Sequence, residues 1–142
     1  MVPLKRGFKM NDQSDLKIKK QVIEEEQADY VVAINYLAKA AHQSAKILGF
    51  YEEKRSFGDI IALIHSEVSE ALEEYRNNKP LHYHSYDDEG QRKPEGIAVE
   101  MADVIIRVLD WAGSEGVDIG TIIFEKRMYN ILRTYKHGGK KI

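Results

Sequence analysis

Two pairs of acidic residues interrupt apolar segments of this 142-residue chain. The first pair is Glu67 and Glu70, and the second is Glu100 and Asp103. Residues three apart share a face of an α-helix, whereas in a strand they point to opposite faces. If both segments are helices and lie side by side, four carboxylates converge on one place. Such a group repels itself unless a cation lies within it, and Mg²⁺ is the hard divalent ion that prefers oxygen ligands.

The rest of the chain favours an all-α fold. Proline occurs only at positions 3, 80 and 94, and alternation of β-branched residues is almost absent. Apolar periodicity predicts four helices, at about 28–48, 57–77, 94–115 and 118–133. Mostly short connections between them predict a four-helix bundle-like arrangement, with a polar loop over 78–93.

Several residues mark where these helices begin and end. Ser56 with Asp59 three positions later is typical of a capping box at the start of the second helix. Pro94 is a favoured first-turn residue for the third helix, and Asp118 can cap the fourth. Gly49 is well suited to end the first helix.

Helical angles place the acidic pairs relative to the apolar faces. On the second helix, Glu67, Glu70 and Glu74 form one line at the edge of the apolar arc. That predicted buried arc comprises Ile60, Leu63, Ile64, Val68, Ala71, Leu72 and Tyr75. The third helix is apolar almost all round, and its one polar line comprises Glu100, Asp103, Arg107 and Asp110. We therefore expect the acidic residues to be partly removed from water and to need a partner.

The fourth helix offers complementary charge. Its inward face is predicted to begin with Ile119, Ile122 and Ile123. The same face continues with Lys126, Asn130 and Arg133, which we expect to face the acidic pairs or a bound phosphate. Alternatively, Lys126 and Arg133 extend into solvent past the end of the helix.

Charge is distributed unevenly along the chain. Residues 1–20 carry six Lys or Arg and two acids, and residues 126–142 carry six Lys or Arg and no acid. The segment 21–125 therefore holds 21 acids and nine bases, a net charge of −12. An acidic centre argues against nucleic acid as a partner, because that binding needs a basic surface.

We expect three segments: a partly helical or flexible lead-in over 1–27, a helical domain over 28–136, and a basic, glycine-containing tail over 137–142. The chain has no cysteine, which excludes thiolate zinc sites and cysteine nucleophiles. No apolar run is long enough to cross a membrane, and the N-terminus lacks a signal-like apolar core. These features predict a cytoplasmic protein without a membrane partner.

Other interpretations of the same residues remain open. The acidic faces can be solvated or salt-bridged surfaces, with Arg107 pairing with Asp103 four residues away. They can also be ion-paired contact surfaces of a non-catalytic helical interaction module. A ferritin-like di-iron site needs Glu-x-x-His on two helices, which neither acidic pair provides. We expect His82 and His84 to lie in a surface loop, His42 and His65 to be exposed and inert, and Trp111 to pack in the core.

Taken in order, three motifs resemble those of the MazG-like all-α nucleoside triphosphate pyrophosphatases. They are Glu67-x-x-Glu70, Glu100-x-x-Asp103 and Lys126-x-x-x-Asn130-x-x-Arg133. The strings Glu100-Met-Ala-Asp-Val-Ile-Ile and Pro94-Glu-Gly-Ile also fit the third helix of that family. The resemblance covers about 30–140.

The resemblance implies an enzyme that hydrolyses a nucleoside triphosphate between the α and β phosphates, giving a monophosphate and pyrophosphate. By motif, Glu67, Glu70, Glu100 and Asp103 would be the catalytic residues and would bind Mg²⁺, for which Mn²⁺ can substitute. Lys126, Asn130 and Arg133 would contact the phosphates. The family also implies a homodimer or homotetramer. Two departures are Ser66, where many members carry another acid, and a long 71–99 segment.

Overall fold

The computed structural model describes the backbone of residues 13–132 and the side chains of Gln21 and residues 29–131. It contains four helices, α1 (Gln13–Ile47), α2 (Phe57–Arg76), α3 (Ile97–Ser114) and α4 (Ile119–Leu132), and two strands, β1 (Tyr83–Tyr86) and β2 (Arg92–Glu95). The mostly helical class is confirmed. A single helix covers the expected helical part of the lead-in and the first core helix. Arg133 and the tail 137–142 lie outside the described residues.

The caps predicted for α2 and α4 are present. The Ser56 hydroxyl accepts from the Asp59 backbone N–H at 3.2 Å, and the Asp59 carboxylate accepts from the Ser56 N–H at 2.9 Å. Asp118 accepts from the backbone N–H of Thr121 at 3.1 Å. Each cap satisfies donors that the first helical turn leaves without a partner.

The predicted polar loop over 78–93 is wrong, because this segment contributes to a β-hairpin. β1 and β2 pair antiparallel, with Ser85 opposite Lys93. Their turn is held by Asp87, whose side-chain oxygen accepts from the backbone N–H of Gln91 at 2.7 Å. Gly90 supplies the positive φ of 78° that closes the turn.

Pro94 lies within β2, opposite His84, so its predicted place in the first turn of the third helix is also wrong. A strand in a two-stranded sheet has a free edge, where the missing N–H of proline costs no ladder bond. The helix begins only after Gly96, whose φ is 113°. A Cβ at Gly96 would lie 2.7 Å from the Pro80 carbonyl oxygen, so only glycine fits there.

Helix α3 lies at the centre of the fold. Among the described residues, the helix pairs in extensive contact are α1 with α3, α2 with α3, and α1 with α4. The buried core lies between α1 and α3 and consists of Ala38, Leu109 and Ala112. Gly113 extends this close approach, because a Cβ there would collide with the Ala38 carbonyl oxygen and lie 2.7 Å from the His42 Cβ.

Helix α4 is attached to α1 through the side chain of Asn35. The Asn35 amide nitrogen donates to Asp118 at 2.6 Å, and its oxygen accepts from the backbone N–H of Gly120 at 2.9 Å. The rings of Tyr30 and Phe124 lie 6.1 Å apart and extend the contact along both helices. These contacts fix the first turn of α4 against α1.

Many apolar side chains remain exposed in the single chain. Val68, Leu72 and Tyr75 were expected in the buried arc of α2, but all three are exposed, as are Ile122 and Ile123 of α4. The physical reason is that α2 packs mainly on α3, and α4 mainly on α1, so each helix covers only one of its apolar faces.

Candidate functional site

Glu67 lies in the middle of the contact between α2 and α3. It shares the contacting face of α2 with Ile60, Leu63 and Ala71. Only 7% of its surface is exposed, and it is the one buried charged residue among the described side chains. Its expected position, partly removed from water, is therefore confirmed. A carboxylate buried to this extent needs a cation or hydrogen-bond donors.

A guanidinium from the neighbouring helix supplies one partner. Arg107 Nε donates to Glu67 Oε1 at 2.6 Å. Arg107 therefore pairs with Glu67 of the neighbouring helix, and not with Asp103 of its own helix as the sequence suggested. This charge-assisted bond joins α2 to α3 and fixes one Glu67 oxygen.

Glu100 and Asp103 project from α3 toward the same place. One carboxylate oxygen from each of Glu67, Glu100 and Asp103 lies within 4.8 Å of the others. We call these three residues the acidic cluster. The convergence of the two acidic pairs is thus found for three of its four members. No other group of three metal-binding side chains occurs at this spacing among the described residues.

Two acids of the cluster, Glu100 and Asp103, have raised pKa values. Burial is the largest cause raising the pKa of Glu100, and the charges of Glu70, Asp103 and Glu67 add to it. Burial likewise raises the pKa of Asp103, with a further rise from the Glu67 charge that Arg107 partly offsets. Both carboxyl groups therefore release their protons less readily than a solvated acid does, and a bound cation would favour their ionised forms.

Glu70 stands beside this cluster rather than within it. It is exposed, which differs from its expected place away from the solvent side of α2. The Ser66 hydroxyl donates to Glu70 at 3.1 Å. Among neighbouring charges, Glu70 has the largest effect on the pKa of Glu100, so its carboxylate lies within electrostatic reach of the cluster.

A second polar group lies on the other side of Arg107. Asp110 accepts from the Tyr51 hydroxyl at 2.7 Å, and His42 Nδ1 lies 3.1 Å from the same Asp110 oxygen. Burial and this hydrogen bond raise the pKa of Tyr51. His42 is half-buried, so the expectation that it is exposed and inert is wrong. The sequence contains a sign of this burial, because His42 follows Ala38 by four residues and so shares the core face of α1.

Two clefts adjoin these groups and share Arg107 and Asp110. One has a volume of about 600 Å³ and is also lined by His42, Tyr51 and Trp111. The other, of about 470 Å³, is lined by the acids Glu67 and Asp103 together with apolar side chains of α1. Both volumes lie within the range typical of small-molecule sites. Trp111 packs against the core as expected, and it also forms part of a cleft wall.

The structure does not bring the basic residues of α4 to the acidic cluster within one chain. Lys126 and Asn130 are exposed, and both line a shallow groove on α4 itself. Their expected inward orientation is therefore not found in the single chain, because α4 packs mainly on α1.

The other histidines among the described residues have the expected surface positions. His65 is exposed on α2, and His82 and His84 are exposed around the hairpin. The rings of His82 and His84 lie 4.7 Å apart, edge to face, and Arg92 lies 3.1 Å from His84 Nδ1. A guanidinium beside this pair opposes cation binding there.

Comparisons of this chain with protein-family models, curated proteins and solved structures gave no match. Within residues 13–132, no helix combines the length and apolar character that crossing a membrane requires.

Proposed function

We propose that this protein is a Mg²⁺-dependent nucleoside triphosphate pyrophosphohydrolase with a MazG-like all-α fold. The observation that carries the proposal is the acidic cluster, in which carboxylates from two adjacent helices lie within 4.8 Å of one another. Such a site would cleave the bond between the α and β phosphates and release a monophosphate and pyrophosphate.

The donors of the cluster fit a hard divalent cation. When ionised, Glu67, Glu100 and Asp103 carry three negative charges against the single positive charge of Arg107, which leaves a net −2. Their ligand atoms are all carboxylate oxygens, which suit Mg²⁺ and Mn²⁺. When bound there, the ion would supply Lewis-acid polarisation of phosphate oxygens.

Glu70 is suited to a different role from that of the cluster. It is exposed, it lies in the field of Glu100, and Ser66 donates a hydrogen bond to it. A carboxylate in that position can accept the proton of a water molecule directed at a phosphorus atom. We assign Glu70 as the general base.

The two clefts provide space for the nucleoside beside its phosphates. The apolar cleft opens on Glu67 and Asp103, so a ligand can extend from the acids along α1. The polar cleft presents Tyr51 and His42, which combine ring surfaces with hydrogen-bonding atoms. A nucleobase needs both kinds of contact.

A second copy of the chain fits the faces that the single chain leaves exposed. Ile61, Val68 and Leu72 form an apolar face on α2, and Ile105 and Ile106 are exposed on α3. Burying such faces is the usual reason for a stable homo-oligomer.

The basic groove of α4 and the acidic cluster have opposite charge, so a partner chain can bring Lys126 and Asn130 to the phosphates. Light scattering is expected to give the mass of a dimer or tetramer, and a monomer at micromolar concentration would contradict this.

The test of the activity is a panel of NTPs and dNTPs with Mg²⁺, followed by identification of the products. At least one nucleotide is expected to yield its monophosphate and pyrophosphate. Glu100→Gln should lower that rate by about a hundredfold or more, because the Mg²⁺ that would stabilise the developing negative charge loses one of its ligands. The matched control is Glu73→Gln, an exposed acid on α2, which should retain the rate. Absence of turnover with every nucleotide, in a folded protein, would refute the proposal.

The second candidate is a non-catalytic interaction module, which the ion pair between Arg107 and Glu67 favours. Metal binding separates the two functions. An enzyme site saturated with Mg²⁺ at a hundred times its Kd gains about 2.7 kcal/mol of unfolding free energy. A module with ion-paired faces is expected to show no such gain.

A further inference from the structure

The β-hairpin is fixed to both helices that carry the acids. The Tyr83 hydroxyl donates to Glu74 of α2 at 3.1 Å. On the other side, the backbone N–H of Ala98 in α3 donates to the Leu81 carbonyl at 2.8 Å, and Gly96 packs closely on the same segment. The hairpin therefore has a defined position relative to the first turn of α3, which contains Glu100.

One face of the hairpin is turned toward the helices. Directly opposed residues of an antiparallel pair share a face, and so do residues two apart in a strand. Tyr83, Ser85, Lys93 and Glu95 therefore share one face. Tyr83 and Ser85 are half-buried and Tyr83 bonds to α2, which identifies this face as the inner one. Arg92 lies on the outer face beside His84.

The inner face presents a positioned ammonium group. Lys93 Nζ lies 2.9 Å from Glu95 Oε1, and the Ser85 hydroxyl donates to the same Glu95 oxygen at 2.9 Å. The Lys93 side chain is 57% exposed, whereas that of Glu95 is 19% exposed. Glu95 thus acts as the fixed end of the pair, and the ammonium remains open to solvent and ligands.

Electrostatic coupling places Lys93 in the field of the acidic cluster. The hydrogen bond and charge of Glu95 are the largest causes raising the Lys93 pKa, and the Glu100 charge adds to them. In turn, the Lys93 charge partly offsets the rise that burial causes in the pKa of Asp103. Arg107 is already bonded to Glu67, whereas the Lys93 ammonium is bonded only at one end of its reach, to Glu95, and stays open to a ligand.

We propose that Lys93 contacts the phosphate chain of the ligand bound at the acidic cluster, making the hairpin part of the substrate site. This inference rests on the proposed function. An ammonium has three N–H donors, so Lys93 can keep its bond to Glu95 while donating to a phosphate oxygen. A polyphosphate adds dense negative charge to an already acidic place, and a cation held on the same chain offsets it.

The test uses inorganic tripolyphosphate with Mg²⁺, and Mg²⁺ alone, on the full chain in calorimetric titrations. Lys93→Gln removes the charge but keeps a donor for Glu95. It is expected to weaken tripolyphosphate binding about ten- to hundredfold, because a hydrogen bond between charged groups is lost. The same change should tighten binding of Mg²⁺ alone, because a cation near the acids is gone. A purely structural role for Lys93 does not move the two affinities in opposite directions.

Matched variants complete the design. Arg92→Gln removes a cation from the same strand but from the outer face, and should change tripolyphosphate affinity less than about fivefold. Lys93→Arg should keep most of the affinity. If Lys93→Gln does not fold, Lys93→Met gives the same test, since it removes the ammonium but keeps a side chain of similar length.

The failure of this inference differs from failure of the proposed function. If the wild-type protein hydrolyses a nucleotide and binds tripolyphosphate, but Lys93→Gln binds it equally well, only the role of Lys93 is overturned. If the wild-type protein binds Mg²⁺ but neither tripolyphosphate nor any nucleotide, the proposed function fails and takes this inference with it.

Discussion

Helix α3 packs against α1 and α2 with opposite chemistry on its two sides. Against α1 it presents Ala112 and Gly113, and the helix backbones approach closely over Ala38. Against α2 it presents Glu100 and Asp103, and their pKa values are raised by burial and by neighbouring acids. The first contact stabilises the fold. The second holds repelling charges where apolar side chains would pack better, as expected of a site kept for binding.

The largest expected effect comes from breaking the close-packed side. Gly113→Ala places a methyl group against the Ala38 carbonyl and the His42 side chain, where backbone must move. We expect the unfolding free energy to fall by about 2–4 kcal/mol, measured by urea denaturation.

The control for that change is another helical glycine with space around it. At Gly58 of α2, the nearest atom to an added Cβ is the Ser56 hydroxyl oxygen at 3.5 Å, which is an ordinary contact. Gly58→Ala should therefore raise the unfolding free energy by up to about 1 kcal/mol. Equal losses for both variants would show that the α1–α3 contact is not specially close.

A smaller effect of opposite sign is expected on the acidic side. Asp103→Asn removes one of the repelling charges, and should raise the unfolding free energy of the metal-free protein by about 0.5–2 kcal/mol. The same variant should lose the stabilisation that Mg²⁺ gives the wild-type protein. A destabilised metal-free variant would contradict the view that this contact is under electrostatic strain.

The pH dependence of that gain follows from the direction of the pKa shift. Because the Asp103 pKa is raised in the folded state, the unfolded chain releases this proton first as pH rises. The wild-type protein therefore loses stability between the ordinary pKa of an aspartate and the raised folded value. The advantage of Asp103→Asn should be absent in acid, grow across that window, and stay constant above it. Denaturation curves at a series of pH values measure this.

The sequence was most informative where a local rule decides the structure. The capping box at Ser56 and the cap at Asp118 depend only on neighbours in the chain, and both were predicted correctly. The acidic pairs follow from helical spacing, which brought Glu67, Glu100 and Asp103 together. Predicting these features requires only helical periodicity and neighbouring residues, because no contact between distant parts of the chain has to be known.

Features that depend on distant contacts were not predictable in the same way. The hairpin was missed because Pro94 resembles a helix start, although Tyr83 and Ser85 alternate with outward residues as a strand does. The bond from Arg107 to Glu67 required knowledge of which face of α2 meets α3. The predicted burial of apolar residues on α2 and α4 was wrong for a related reason. Periodicity identifies an apolar face, but it does not show which part of this chain, or which other molecule, covers that face.

Asn35 shows how a single contact limits evolutionary change. Its amide both donates to Asp118 and accepts from Gly120, so neither Asp nor Leu can replace it without a repulsion or an unsatisfied group. Gly120 is equally restricted, because a Cβ there would lie 2.6 Å from the Val31 carbonyl oxygen. Homologous chains that keep α4 in this position should therefore retain glycine at 120 and change residue 35 only together with its side-chain partner at 118, and this pattern would mark the junction through long divergence.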